Sequence, residues 1–336
     1  MINFSPFLME EPLEAGRFSS GFNALESGGP PLLFGQLLDL IAANHKRVMP
    51  NRSSATDISS GDLLKEIAAL SLADSPNHGR EDLRSHVARL HPGATTGNVL
   101  ITTGTSEALL LVFLALKPKK VAVVLPGFQL LTELITGVGA QIIALPMTWN
   151  QDAQPDPDLD LWLHILRSEK PDVILFNHPH NPSGYVFQRD FLAELGRCAA
   201  ETGSTIVGDE HYRFLTATKP LGDTLWQQLE PRIRETDPCH IVTGSFIKCL
   251  GVPGLRIGWC VAPLHLIAQM QNIKNYTTHT VNPLSEWAAE AVLRDPELGA
   301  FEATRDVWQR NIQQLTLWQQ KGSQWLVTPP HGGWVT

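Results

Sequence analysis

Residues 240–261 read HIVTGSFIKCLGVPGLRIGWCV. The stretch opens as a short apolar run, His-Ile-Val, and turns at Thr243-Gly244-Ser245. It presents Lys248 ahead of a glycine-proline loop, Gly251 to Gly254, then returns through Leu255-Arg256-Ile257-Gly258-Trp259 into a second apolar run. A lysine held between two buried strands is poorly placed for a solvated charge. One reading lets its long stem snorkel to water. The other makes it a Schiff-base amine, with Ser245 and Arg256 placed to hold a phosphate beside it.

The chain around this stretch has 336 residues, enough for a sizeable core and more than one domain. With 43% hydrophobic and 18% charged residues it has the composition of an ordinary globular protein. The net charge of -8 comes without a basic stripe, which excludes a nucleic-acid-binding reading. Four cysteines, at 198, 239, 249 and 260, lack zinc-site spacing and read as reduced thiols. The first residues lack the charged and apolar regions of a leader, and no run of eighteen apolar residues exists to span a membrane. The expectation is a cytoplasmic protein without a membrane partner.

Outward from the lysine stretch, short apolar runs alternate with helical patterns, as in an α/β sheet. Asn98 to Ile101 is a strand, followed by Thr102-Thr103-Gly104-Thr105-Ser106 and an apolar helix. Strand, glycine turn and helix start make an anion site, because unpaired N–H groups converge there; Gly104, Thr105 and Ser106 are its residues. The run 119–125 leads into Pro126-Gly127-Phe128, and 171–176 into Asn177-His178-Pro179-His180-Asn181-Pro182-Ser183-Gly184. The run 204–207 ends in Gly208-Asp209-Glu210-His211-Tyr212. The acidic pair there also suggests a metal, but no third and fourth ligands stand at a convincing spacing. Helices are predicted over 36–46, 63–70, 188–201, 263–275, 283–293 and 300–319. Trp308, Leu315 and Trp318 are read as core, and residues 326–334 as the start of a strand.

Ser245-Phe-Ile-Lys248 with Gly251-Val-Pro-Gly-Leu-Arg256-Ile-Gly258-Trp, Asn181-Pro-Ser-Gly184 and Asp209 to Tyr212 together resemble the class I/II aminotransferases, the fold-type I pyridoxal phosphate enzymes. Five segments occur in that family's order: 102–106, 126–128, 177–184, 209–212 and 245–256. The resemblance implies an α/β fold-type I transferase, with a mostly parallel central sheet flanked by helices and a smaller α+β domain built from the two chain ends. The implied division is 1–60 for the N-terminal arm and part of the small domain, 61–265 for the large cofactor-binding domain and 266–336 for the rest of the small domain. The implied cofactor is pyridoxal 5'-phosphate, held by Lys248 as an internal aldimine. Gly104, Thr105, Ser106, Ser245 and Arg256 would surround its phosphate, and Phe128 would stack on its ring. Asp209 would keep its ring nitrogen protonated, while Asn181 and Tyr212 share its 3'-oxygen. The catalytic set so implied is Lys248, Asp209 and Tyr212. A homodimer with shared active sites is also implied, with the N-terminal arm as a candidate dimer element.

Transamination of an L-amino acid is the first activity expected. His-Pro-His-Asn-Pro-Ser-Gly, Thr-Gly-Thr-Ser-Glu-Ala-Leu and the Gly251 to Cys260 segment are also similar to the capreomycidine synthase group, which cyclises a hydroxylated arginine. For such a guanidinium substrate Asp57, Asp74 and Glu210 are the available carboxylates. A non-catalytic family member is the third reading, and intact Lys248, Asp209, Asn181 and Arg256 argue against it. Three departures from the pattern stand out. No tyrosine precedes Gly79, Ile247 replaces a second serine or threonine, and His211 replaces an aliphatic residue. The chain stops soon after Gly332-Gly333-Trp334, before the segment in which family members carry an arginine for the substrate carboxylate. A naturally short chain, a truncated sequence and a relocated carboxylate site all accord with that.

Overall fold

Seven of the apolar runs become strands of one sheet in the computed structural model, which describes residues 4–8, 27–48, 59–216, 224–228, 240–321, 327 and 329–334. They are β1 (Val99–Thr102), β2 (Lys120–Leu125), β3 (Gln141–Pro146), β4 (Val173–Asn177), β5 (Thr205–Asp209), β6 (His240–Gly244) and β7 (Gly258–Val261), in the order β1-β7-β6-β5-β4-β2-β3. Neighbours from β3 to β6 run parallel; β7 is antiparallel to both β6 and β1. Every residue of β4, β5 and β6 is buried, the reason these strands read as continuous apolar runs without alternation.

Helices cover both faces. On one lie α4 (Thr105–Leu116), α5 (Gln129–Gly137) and α10 (Leu264–Lys274), whose Leu109, Phe113, Leu134 and Met270 close one core. On the other, α6 (Leu159–Glu169), α7 (Arg189–Thr202) and α11 (Pro283–Leu293) bring Trp162, Leu195 and Trp287 to a larger core. That core also takes in α1 (Phe34–Val48), α2 (Ser60–Ala68) and α3 (Glu81–Arg89). Burying side chains of this size contributes about 1.5–3 kcal/mol each before ordering costs. The α/β architecture expected from the sequence is the one observed. Asp57, Cys239 and residues 9–26 of the N-terminal arm lie outside the described residues.

Two one-turn helices add detail to the sequence reading, and two expectations change. Lys248 rides on a single helical turn, α9 (Ile247–Leu250), ended by Gly251 at φ 72°, a left-handed cap that favours glycine. Residues 225–228 form another one-turn helix, α8, with Leu225 and Trp226 buried. On α12 (Glu302–Gln320) only Trp308 of the three expected core residues is buried, its Nε1 donating to the Gly333 carbonyl at 2.6 Å. Leu315 is half-buried and Trp318 is 45% exposed; no position from 309 to 320 is fully buried, and Ile312 packs against the core from a partly buried position. The described residues 329–334 contribute one bridge, Gly332 to Thr216, in place of a strand; Pro329 and Pro330 have no N–H to give a ladder.

Candidate active site

Parallel register places three polar residues side by side where β4, β5 and β6 end. Asn177 pairs with Asp209, and Asp209 with Thr243. Asn177 and Asp209 are the last residues of their strands and Thr243 the last but one of β6, at the carboxyl edge where open α/β sheets collect ligands. Asn177 Nδ2 donates to Asp209 Oδ2 at 2.9 Å, and the Thr243 hydroxyl to Oδ1 at 2.9 Å. Burial pushes the Asp209 carboxyl up to about 7, with those two donors and the nearby Glu210 as smaller influences. It is a buried carboxylate well suited to a cationic partner.

The anion site lies at the end of β1, with β7 between it and β6 in the sheet. Gly104 (φ 82°) caps α4, so the N–H groups of its first turn point outward. A Cβ on Gly104 would stand 2.8 Å from Arg256 Nη2, which brings that guanidinium onto the cup. A Cβ on Gly258 would stand 2.8 Å from the Thr105 nitrogen and 2.7 Å from the Gly104 carbonyl carbon; only glycine lets β7 run this close. Thr105 is buried, and Ser106 is exposed at the helix start. The Ser245 hydroxyl donates to the Ile257 carbonyl at 2.7 Å and accepts from the Ile247 N–H at 3.1 Å, so it braces the loop between Lys248 and Arg256.

Gly28, Gly29 and Trp334 close on Lys248. Its carbonyl accepts from the Gly29 N–H at 3.0 Å and from Trp334 Nε1 at 3.2 Å. A Cβ on Gly28 would come within 3.2 Å of the Lys248 Cδ, so the strap at 27–32 lies directly on the lysine stem. The same strap accepts the Tyr212 hydroxyl at the Ser27 carbonyl, 3.0 Å away. Burial pushes that hydroxyl above its ordinary range, which keeps it a donor. Asn181 is half-buried in the loop after β4, and Phe128 caps α5 with its ring edge-on to Phe7, centroids 6.0 Å apart.

Glu210 is not available to a substrate. It lies on the opposite face from Asp209, against Arg213 at 3.4 Å and His91 at 3.5 Å, and accepts from the Leu225 N–H at 2.5 Å. Burial would raise it, but Arg213 and His91 more than offset that and hold it near 2. Burial pushes His91 down; its Nδ1 lies 2.9 Å from the Val87 carbonyl and its Nε2 3.3 Å from Arg213 Nη1. Asp74 is exposed beside Thr280. His178 and His180 are buried against Phe187, and desolvation pushes both down to about 4.

Asn177, Thr243 and the Ser27–Gly28 strap are the site residues that sequence reasoning missed. The first two had a signal, a polar residue at or next to the end of an apolar strand. The strap had only its Gly-Gly-Pro-Pro run.

A family model, aminotransferase class I and II, matches residues 73–336. This chain belongs to the class I and II aminotransferase family. Among curated proteins it is similar to a capreomycidine synthase of Streptomyces vinaceus, 34% identical over 229 residues, 67% of this chain and 56% of that one. It also matches an aspartate aminotransferase of Streptomyces avermitilis at 30% identity, over 63% of this chain and 50% of that one. The chain thus spans about half the length of the curated relatives it matches. Among solved structures the aminotransferase-family fold is shared with a PLP-dependent aminotransferase from Streptococcus suis, with TM-score 0.82, 21% identity, and 98% of this chain and 81% of that one covered.

Pyridoxal 5'-phosphate is the cofactor of this family, and the residues present fit it. The cup opposes a helix start, a threonine, a serine and an arginine to a phosphate, with glycines where a Cβ would fill the space. Asp209 offers a buried carboxylate without a side-chain cation bonded to it. Asn177 Oδ1 beside it is buried without a hydrogen-bond partner.

Proposed function

We propose that this protein is a pyridoxal phosphate-dependent aminotransferase acting on an L-amino acid. When bound, the cofactor supplies an electron sink for the amino acid's α-carbon. The observation that carries the reading is Asp209, a carboxylate buried at the strand edge and held from two sides by Asn177 and Thr243. Its negative charge there stabilises a protonated ring nitrogen, the condition for that sink.

The chain's own groups divide the remaining work. The Thr105 and Ser106 hydroxyls, the N–H groups of the first turn of α4 and the Arg256 guanidinium bind the phosphate end. The Lys248 amine would hold the cofactor and, when free, would take the substrate's α-proton as general base and return it as general acid. Two hydrogen bonds to its carbonyl, from Gly29 and Trp334, fix the turn that carries that amine. Tyr212, kept protonated, donates a hydrogen bond in the site and works with Asn181 at the ring hydroxyl. The strap at 27–32 covers the lysine stem and excludes water there. We take the working unit to be a homodimer acting on a small amino acid.

A second reading, ring closure of a hydroxylated arginine, is favoured by the similarity to capreomycidine synthase and by 25% identity at TM-score 0.75 to a solved structure described as the PLP-dependent cyclase OrfR. One experiment separates the two. Cofactor-loaded protein is incubated in deuterated water with an amino acid panel that includes arginine and its hydroxylated derivatives, with and without a 2-oxo acid acceptor. Mass spectrometry showing a new oxo acid and transfer of the amino group establishes transamination. A product lighter by one water, with its α-nitrogen retained and deuterium at the α-carbon, establishes cyclisation. Loaded protein that exchanges no α-proton on any member refutes both.

A further inference from the structure

His211 stands in the middle of the site, and the roles assigned above leave it unused. It opens the turn after β5, two residues beyond Asp209, with its ring half-buried. Its Nδ1 lies 3.4 Å from the buried Thr105 hydroxyl of the anion cup. Its ring meets that of Tyr212 edge-on, with centroids 5.3 Å apart, and its carbonyl accepts the Cys249 thiol at 3.5 Å. It thereby touches the cup, the tyrosine and the lysine turn at once. Burial, then the Lys248 and Arg256 charges, push the imidazole down to about 3. At neutral pH it therefore carries one donor nitrogen and one acceptor nitrogen.

That neutrality gives the Thr105 contact a direction. A hydroxyl has a single proton to give. If it gives that proton to the imidazole, it has none for an anion in the cup. If Nδ1 carries the ring proton and donates to Thr105 Oγ1, the hydroxyl proton turns to the anion. At 3.4 Å the contact is at the long end for a hydrogen bond, as contacts in ligand-free sites commonly are before they tighten in the complex. The neighbouring positive charges favour the same arrangement, because a phosphate between Arg256 and the helix start draws donors toward itself.

We propose that His211 is a positioning residue for the phosphate-binding cup: its Nδ1–H donates to Thr105 Oγ1 and so commits the threonine hydroxyl as a donor to a phosphate monoester. The inference rests on the reading of the cup as the cofactor's phosphate site and adds the residue that orients it.

The experiment measures equilibrium binding of pyridoxal 5'-phosphate and of pyridoxal, which lacks the phosphate, to apoprotein by absorbance. The variants are His211→Asn, which keeps an N–H near the Nδ1 position, His211→Phe, which keeps a flat ring alone, Thr105→Ala, and His211→Phe with Thr105→Ala. His211→Phe should weaken binding of the phosphorylated form about tenfold, the equivalent of one hydrogen bond to a charged partner, and leave pyridoxal binding unchanged. His211→Asn should restore most of the loss. In the Thr105→Ala background His211→Phe should add nothing, because the hydroxyl it orients is gone. An equal loss for both ligands, or full additivity with Thr105→Ala, overturns the proposal. So does His211→Phe binding like the parent. Should the parent itself fail to bind the phosphorylated form, the cofactor reading fails with it. Circular dichroism on each apoprotein excludes unfolding as the source of a loss.

Discussion

Replacing Asp209 by asparagine should stabilise the cofactor-free protein and at the same time weaken its hold on the cofactor. The carboxyl is pushed by burial from 3.8 to about 7. Between those two values the folded chain binds a proton that the unfolded chain does not. The parent's stability therefore falls as pH rises through this window and levels off above about 7. Each pH unit of the window corresponds to 1.36 kcal/mol, so the accumulated cost of burying the charge is about 1.5 kcal/mol at pH 5 and about 4 kcal/mol at pH 8. Asp209→Asn removes that cost. The geometry tolerates the change: the Thr243 hydroxyl can still donate to the amide oxygen. Asn177, whose Oδ1 has no hydrogen-bond partner, can turn its amide to accept from the new NH2. Urea denaturation of the two apoproteins at pH 5 and pH 8 measures the effect. The variant should gain stability over the parent, and the gain should grow by roughly 2.5 kcal/mol between the two pH values. Added pyridoxal 5'-phosphate should then stabilise the parent more than the variant, because only the parent supplies an anion to the ring nitrogen. An apoprotein difference that is the same at both pH values, or a variant less stable than the parent at pH 8, would refute the assignment of Asp209 as a strained, uncompensated carboxylate.

Three further substitutions test other parts of the account. Gly258→Ala drives a methyl onto the Gly104 and Thr105 backbone, so it should cost about 1–3 kcal/mol of stability and weaken binding of the phosphorylated cofactor; parent-like values in both would mean that the cup is looser than described. Glu210→Gln leaves Arg213 buried without its carboxylate and should cost about 3–5 kcal/mol in urea denaturation; a loss below about 1 kcal/mol would contradict the paired-cluster description. Trp308→Ala should cost about 3–5 kcal/mol, while Trp318→Ala, on the exposed end of the same helix, should stay within about 0.5 kcal/mol of the parent; reversal of that order would contradict the packing of α12.

The strands and most helices were legible because each apolar run is bounded by the glycine, proline or asparagine that ends it. The anion cup was legible for a related reason. A strand, a glycine at positive φ and a helix start with Thr105 are local in sequence, and their geometry follows from the chain itself. Asn177 and Thr243 were not legible as partners of Asp209, since their contact depends on the register of three strands separated by helices. In the sequence Glu210 reads only as an available carboxylate for a guanidinium substrate. The two-residue alternation of a strand end sends it to the opposite face, to Arg213 and His91. The lysine turn and the strap over it show the same limit, for α9 is too short to carry a periodic signal, and nothing local in Ser27 to Pro30 points to Lys248 more than 200 residues away. On α12 the apolar spacing was real, but in its second half it yields only partial burial, as at Ile312 and Leu315.

The central claim is that Lys248 is the amine that holds the cofactor, and it can be tested without knowing the substrate. Purified protein is loaded with pyridoxal 5'-phosphate, reduced with borohydride, digested and mapped by mass spectrometry, with Lys248→Ala carried in parallel. The account predicts a stable phosphopyridoxyl adduct on the peptide containing Lys248, absent from a variant that remains folded. A folded parent that acquires no adduct, or acquires it on another lysine, would contradict it.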